Sequence, residues 1–310
     1  MVKVVVVGSY VVDLMSRTPH MPKPGETVLG GPFQMGPGGK GGNQGVSASR
    51  QGSHVTMISK VGKDSFGEDA LRNFEKEGIV STYVTTHETE ATGAALIAVD
   101  RKSENMIVVA LGACGKLTKY DVMDAREAFE EADIVLVQLE TSLEAIKTTI
   151  MLASECGKPI ILNPAPYQEL DQESLSKVSY ITPNETEAGF LTGITVNDER
   201  SAHEAALLLA RQGIQNVIIT LGKKGCYVYE NEKGRIIDGF SVEAVDTTGA
   251  GDAFNGGLAT FIAEGYSLDD AVYRANAVAA LSVTKMGTAP AMPMKEEVDA
   301  FLEKVKQVNS

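Results

Sequence analysis

Basic charge is scarce in this 310-residue chain: 28 Lys and Arg stand against 41 Asp and Glu, a formal charge of −13. A nucleic-acid partner would need clustered cations, and here they are scattered among acids, so none is expected and any polyphosphate must be held locally. Cysteine is also scarce. Cys114, Cys156 and Cys226 fall in no metal-ligand spacing, and an odd count fits free, inert thiols in a reducing cytoplasm. No stretch is long or apolar enough to span a bilayer, and Met1–Gly8 lacks a signal-peptide cleavage pattern, so a soluble cytoplasmic protein without a membrane partner is expected. There is no low-complexity linker and no internal repeat. A Walker P-loop is missing as well, because Lys40 is followed by Gly41 and Gly42 rather than by Ser or Thr.

Apolar residues, at 43%, are ample for a core, and the length favours one large α/β domain over residues 1–310 with a smaller appended unit. Val4–Val7 before Gly8-Ser9 reads as a buried parallel strand whose C-terminal end opens a ligand loop. From about residue 119 helical and strand patterns alternate: helices over 120–131, 143–156 and 201–212, strands over 134–138, 159–163, 180–183 and 217–221. With helices over 252–264, 268–285 and 295–307 this predicts a doubly wound, mostly parallel sheet flanked by helices. Residues 10–35 and 92–112 break the rhythm. They are β-rich, the second with a hairpin turn at Asp100–Ser103, and predict a small antiparallel sheet that must bury an apolar face on the main domain, a ligand or another subunit.

Two Gly-rich strings carry the chemistry. In Asp246-Thr247-Thr248-Gly249-Ala250-Gly251-Asp252, small residues lead into an apolar helix, so successive backbone N–H groups converge on an anion with a carboxylate beside them. Asp252 would repel a phosphate, which suits it instead to accept a proton from a hydroxyl attacking that phosphate. Gly36-Pro37-Gly38-Gly39-Lys40-Gly41-Gly42-Asn43-Gln44 precedes a small-residue helix over 45–50 and offers close backbone approach, one cation and two amides for sugar hydroxyls or phosphate oxygens.

Together the two strings resemble the signatures of the ribokinase family, the PfkB-type carbohydrate kinases, and Gly8-Ser9, Asp13, Gln138-Leu139-Glu140, Asn184-Glu185-Thr186-Glu187, Thr220-Leu221-Gly222 and Gly287 extend the likeness over nearly the whole chain. The lysine in the first signature points to the ribokinase and deoxyribokinase branch. The resemblance implies a ribokinase-like fold with a β-sheet lid that joins a homodimer, and an ATP-dependent kinase of the 5-hydroxyl of a D-pentose. It implies Asp252 as catalytic base and Gly249, Ala250 and Gly251 as donors to the transferring phosphoryl group, a role contributing about 3 kcal/mol per donor. Asp13, Gly39, Lys40, Asn43 and Glu140 match sugar-binding positions, as acids and amides that bond vicinal hydroxyls should. Asn184, Thr220, Gly222, Gly225, Gly251 and Asn276 match nucleotide contacts, and Glu187 matches a position organising Mg²⁺ through water, although Asn184–Glu187 also reads as a plain capping box. Asp246 and Thr248, with backbone carbonyls at Val283, Met286 and Ala291, match a K⁺ loop that would orient the neighbouring amides.

One position departs. Ribokinases read Gly-Ser-x-Asn-x-Asp in the first loop; this chain carries Val11 in place of the Asn, as deoxyribokinases carry an apolar residue there. A hydroxyl aimed at Val11 would go unpaired at about 1–3 kcal/mol, which tilts the reading towards 2-deoxyribose without excluding ribose. Two other readings stay open: a kinase of another small sugar or nucleoside, and a sugar- or nucleotide-sensing protein that has lost turnover. An intact Asp252 argues against the second.

Overall fold

The computed structural model describes residues 1–102 and 104–308, the side chains of Asn105 and Val308 excepted. Its strands are β1 (Lys3–Val7), β2 (Val11–Arg17), β3 (Phe33–Gly38), β4 (His54–Gly62), β5 (Val80–His87), β6 (Thr92–Val99), β7 (Asn105–Gly112), β8 (Ile134–Gln138), β9 (Ile160–Asn163), β10 (Tyr180–Ile181), β11 (Asn216–Thr220), β12 (Gly225–Glu230) and β13 (Lys233–Asp238). Nine of them form one sheet in the order β13-β12-β11-β10-β9-β8-β1-β4-β5, parallel except for the hairpin β12–β13 and its junction with β11. β1 is an interior strand, third from the β5 edge, and its four valines satisfy both faces: Val4 and Val6 enter one apolar cluster, Val5 and Val7 the other. The first cluster packs under helices Lys40–Arg50, Ala250–Ala263 and Leu268–Ser282, the second under Leu143–Glu155 and Glu199–Ala210.

The chain passes from β1 to β4 and β5 on one side, then returns to β8 on the other, so the order reverses at β1. At such a switch point the carboxyl ends of neighbouring strands leave a crevice. The ends of β1, β8, β9, β10 and β11 line it.

The second sheet runs β3-β2-β6-β7. Its outer pairs, β3–β2 and β6–β7, are antiparallel as expected, but β2 and β6 run parallel at its centre. Both leave the large sheet from the same edge, β2 after β1 and β6 after β5, and therefore set out in the same direction. Register puts Leu14, Phe33, Met35, Leu96, Met106 and Val108 on one face, and most of these are exposed. The hairpin turn is held by Asp100, whose Oδ1 accepts from the N–H groups of Lys102 and Glu104; Ser103 lies outside the described residues.

Two local expectations change. The helix expected over 120–131 is two, Lys119–Met123 and Arg126–Glu131, because the Ala125 N–H bonds Val122 O and tightens the turn between them. The helix expected to begin at Gly45 begins at Lys40, so Lys40, Gly41, Gly42 and Asn43 are its first turn rather than a loop. The Gly42 N–H donating to Ser9 O draws that turn against the loop after β1.

Candidate active site

Asp252 is the third residue of helix Ala250–Ala263 and is buried, at 6% exposure. Gly249 precedes the helix in the left-handed region at φ 77, and no side chain caps it. Among the described residues that geometry leaves the N–H groups of Gly251 and Asp252 without an acceptor, while the Ala250 N–H reaches Thr247 O at 3.3 Å. The unsatisfied first turn of a helix is where an anion is favoured.

Two amides fix the Asp252 carboxylate. Asn43 Nδ2 donates to Oδ2 at 3.0 Å and Gln44 Nε2 to Oδ1 at 2.9 Å. Gln44 is itself held by Gln138 Nε2, which donates to its Oε1 at 2.7 Å, and it also bonds Asn163 Oδ1 at 3.0 Å. A second branch runs from Thr182 Oγ1 to Asn255 Oδ1, whose Nδ2 donates to Gly251 O. The base and the anion-binding turn thus rest on one buried amide network spanning the ends of β8 and β9. Asn43 Oδ1 is buried with no hydrogen-bond partner among the described residues.

Asp13 stands across the cleft on β2. Its place explains the glycine pair of the first string: a β-carbon at Gly38 would fall 2.2 Å from Asp13 Oδ1, and one at Gly39 2.7 Å from the Val11 N. Burial raises the Asp13 pKa to about 6; the charges of Asp252, Glu140 and Asp246 add to the rise and a bond from Thr288 opposes it. Glu140 is buried rather than solvated, its Oε2 accepting from Ser9 Oγ at 2.5 Å and the Lys40 N–H at 2.9 Å. Burial would lower the Lys40 pKa, but Asp252, Glu140 and Glu187 together raise it, so the ammonium is a fixed cation facing the carboxylates. Lys40, Asn184, Glu187, Thr220, Gly251 and Asp252 line one cavity of ≈ 170 Å³. A second, of ≈ 590 Å³, lies beneath the inner face of the small sheet and is lined by Asp13, Gln34, Ile97, Asp246, Thr248 and Thr288.

The pfkB family carbohydrate kinase profile matches residues 1–295. The chain belongs to this family of carbohydrate kinases. It is 45% identical to the ribokinase of Haemophilus influenzae over 298 residues, 96% of this chain and 97% of that one. It is 38% identical to the deoxyribokinase of Salmonella typhimurium over 300 residues, 96% of this chain and 98% of that one. Among solved structures, Arabidopsis thaliana ribokinase complexed with ribose and ATP superposes with a TM-score of 0.92 at 29% identity, covering 97% of this chain and 99% of the other.

Other expected positions of the kinase fall as follows. Asn184 and Glu187 form the capping box, with Asn184 Oδ1 accepting from the Glu187 N–H and Glu187 Oε2 from the Asn184 N–H, yet both also line the smaller cavity. Burial raises the Glu187 pKa, with the Asp252 charge adding to the rise and Lys40 opposing it. Thr220 pairs with Asn184 in a short parallel bridge. Gly222 opens a 3-10 turn, and Gly225 meets β13 so closely that a β-carbon would sit 2.1 Å from Ile237 O. Asn276 is engaged within the protein: Nδ2 donates to Ile237 O and Asp238 O, and Oδ1 accepts from the Cys226 thiol. The Val283 carbonyl accepts from both the Val245 and Asp246 N–H groups. Asp246 Oδ1 and Oδ2 accept from the Thr248 and Gly287 N–H groups, clasping that loop to the helix start, while Met286 lines the larger cavity and Ala291 is buried.

Gln138, Asn163, Asn255 and Thr288 have no site role in the sequence reading, and Gln44 has one only as an amide for sugar or phosphate, whereas its side chain here holds Asp252. Gln44 and Gln138 stand in strings that carried the resemblance, and Asn163 ends a strand where ligand groups gather. Thr288 had no signal.

Proposed function

We propose that this carbohydrate kinase transfers the γ-phosphoryl group of ATP to the 5-hydroxyl of a D-pentose, ribose or 2-deoxyribose. The observation that carries the reading is Asp252: a carboxylate gripped by two amides in the same helical turn whose free N–H groups favour an anion. Asp13 and Asn43 hold the sugar hydroxyls, and Asp252 takes the proton of the attacking hydroxyl as its oxygen meets phosphorus. A carboxylate is a weak base towards an alcohol, so proton transfer is late and positioning supplies most of the rate. The N–H groups of Gly249, Ala250 and Gly251, joined by that of Asp252 and by Lys40, offset the charge that develops on the phosphoryl oxygens. Asn184, Thr220, Gly222, Gly225 and Asn276 border the nucleotide, Asn276 by holding the β12–β13 hairpin in place.

Glu187 keeps one carboxylate oxygen outside the capping box, and among the described residues no group of three or more His, Cys, Asp or Glu could enclose an ion. Such a sparse donor set fits Mg²⁺, which retains waters and substrate oxygens and would neutralise the phosphates when bound. Asp246 and Thr248, with the backbone carbonyls of Val283, Met286 and Ala291, would hold K⁺, whose charge would steady the loop that presents the Gly249–Asp252 amides. The exposed apolar face of the small sheet suits a second copy of that sheet, giving a homodimer. The three cysteines are unpaired, in keeping with a cytoplasmic setting.

Val11 is buried on the Asp13 face of β2, where a β-carbon on its partner Gly93 would come 2.8 Å from Val11 Cγ1. In this reading Val11, which has no group to pair with a 2-hydroxyl, faces C2 of the pentose and favours the deoxy sugar. A panel of ribose, 2-deoxyribose, fructose and ribonucleosides with Mg-ATP tests the whole reading; turnover confined to fructose or nucleosides, or absent throughout, overturns it.

A further inference from the structure

Thr288 lies 275 positions from Asp13, beside the short 3-10 turn Ala289–Ala291, and meets three parts of the site at once. Its Oγ1 is 3.1 Å from Asp13 Oδ2 and 3.0 Å from Pro37 O on β3. Among the described residues it is the only side chain hydrogen-bonded to the Asp13 carboxylate. Its remaining atoms rest on the anion-binding turn, since a β-carbon at Gly249 would meet Thr288 Cα, Cβ and Cγ2 each at 3.4 Å. Next door Asp246 ties the Gly287 N–H to that of Thr248, so the loop bearing Thr288 moves with the start of the helix Ala250–Ala263. The side chain is buried, at 7% exposure.

A hydroxyl has one proton to give, and here two acceptors share it. Bonding Asp13 Oδ2 pins one carboxylate oxygen and leaves Oδ1 for the ligand. We propose that Thr288 is a positioning residue for the sugar: its hydroxyl sets the orientation of Asp13 relative to the phosphoryl-transfer turn, and its backbone carries that orientation between the small sheet and Gly249. This rests on the sugar-kinase reading. Asp13 is faced by Asp252, Glu140 and Asp246 from the main domain and shares its strand face with Arg17, so the hydroxyl of Thr288 is the contact that opposes the rise in its pKa.

Thr288→Val keeps the volume and the packing on Gly249 but removes the hydroxyl; Thr288→Ser does the reverse. The valine variant should raise KM for the sugar about tenfold, with kcat and KM for ATP within about twofold, because a hydrogen bond to a charged acceptor is lost from sugar binding alone. The acidic limb of its kcat/KM profile should move up by as much as about one pH unit, and the serine variant should keep the wild-type values. Thr288→Ala should match the valine variant and serves if valine disturbs folding. Equal losses in the valine and serine variants, an unchanged sugar KM in both hydroxyl-free variants, or a loss falling on ATP would overturn the proposal. Calorimetric binding of ribose and 2-deoxyribose without ATP reads the same effect independently of turnover, so a wild type that binds pentose but does not phosphorylate it defeats the kinase reading and leaves this one to be judged on binding.

Discussion

Asp13 should weaken the fold at neutral pH, and removing its charge should strengthen it. Burial, reinforced by Asp252, Glu140 and Asp246, lifts its pKa from 3.8 to about 6. The difference of about 2.2 corresponds to about 3 kcal/mol of preference for the neutral form in the folded state, an upper figure for a side chain that is not fully buried. The sign follows from proton counting: between pH 4 and pH 6 the folded protein holds a proton that the unfolded chain has released, so stability from this group falls as pH rises through that window and stays low above it. Asp13→Asn retains an oxygen that can accept from Thr288 and discards the charge. Denaturant unfolding of the unliganded variant should give a gain of about 1–3 kcal/mol at pH 8, a rise in Tm of roughly 2–5 °C, and almost no gain at pH 4. The same variant should lose sugar turnover by two orders of magnitude or more. A variant no more stable than wild type at pH 8, or equally stabilised at both pH values, would refute the electrostatic argument.

Three further outcomes are expected. Wild-type kcat/KM should favour 2-deoxyribose over ribose by roughly ten- to a hundredfold, and Val11→Asn should move that ratio towards ribose; a wild-type preference for ribose by a decade, or an unchanged ratio in the variant, would mean that Val11 does not face C2. Exchanging K⁺ for Na⁺ at equal ionic strength should lower turnover, and equal rates would remove the ion from the loop clasped by Asp246. Sedimentation at micromolar concentration should show a dimer that Leu96→Glu or Val108→Glu converts to monomer, and a wild-type monomer would leave the apolar face of the small sheet unexplained.

Sequence patterns served well where the chemistry was local. The turn from Gly249 to Asp252 is contiguous, so a glycine turn opening an apolar helix with an acid in its first turn could be read without reference to anything distant, and the structure has that helix start. The βαβ rhythm was equally plain from residue 119 onward, because buried parallel strands show as continuous apolar runs. What stayed hidden depends on pairs far apart in the chain. Gln44 and Gln138 meet across 94 positions, and Asp13 and Thr288 across 275, with no spacing rule to link them. The glycine string looked like a loop since glycine is a poor helix former, yet packing against Gly8 and Ser9 winds it into helix from Lys40. The parallel pairing of β2 and β6 follows from where both strands leave the large sheet, which no short segment reveals.

The central claim is that Asp252 accepts the proton of the sugar hydroxyl while the amides around it bind phosphate. Its most direct test is Asp252→Asn, assayed for pentose phosphorylation with Mg-ATP and, separately, for binding of pentose and ATP by calorimetry. The Asn43 and Gln44 side chains can still bond the new amide oxygen, so shape survives and proton acceptance does not. The account predicts kcat lowered by about three orders of magnitude or more, with both dissociation constants within a few-fold of wild type; a kcat within tenfold of wild type would contradict it.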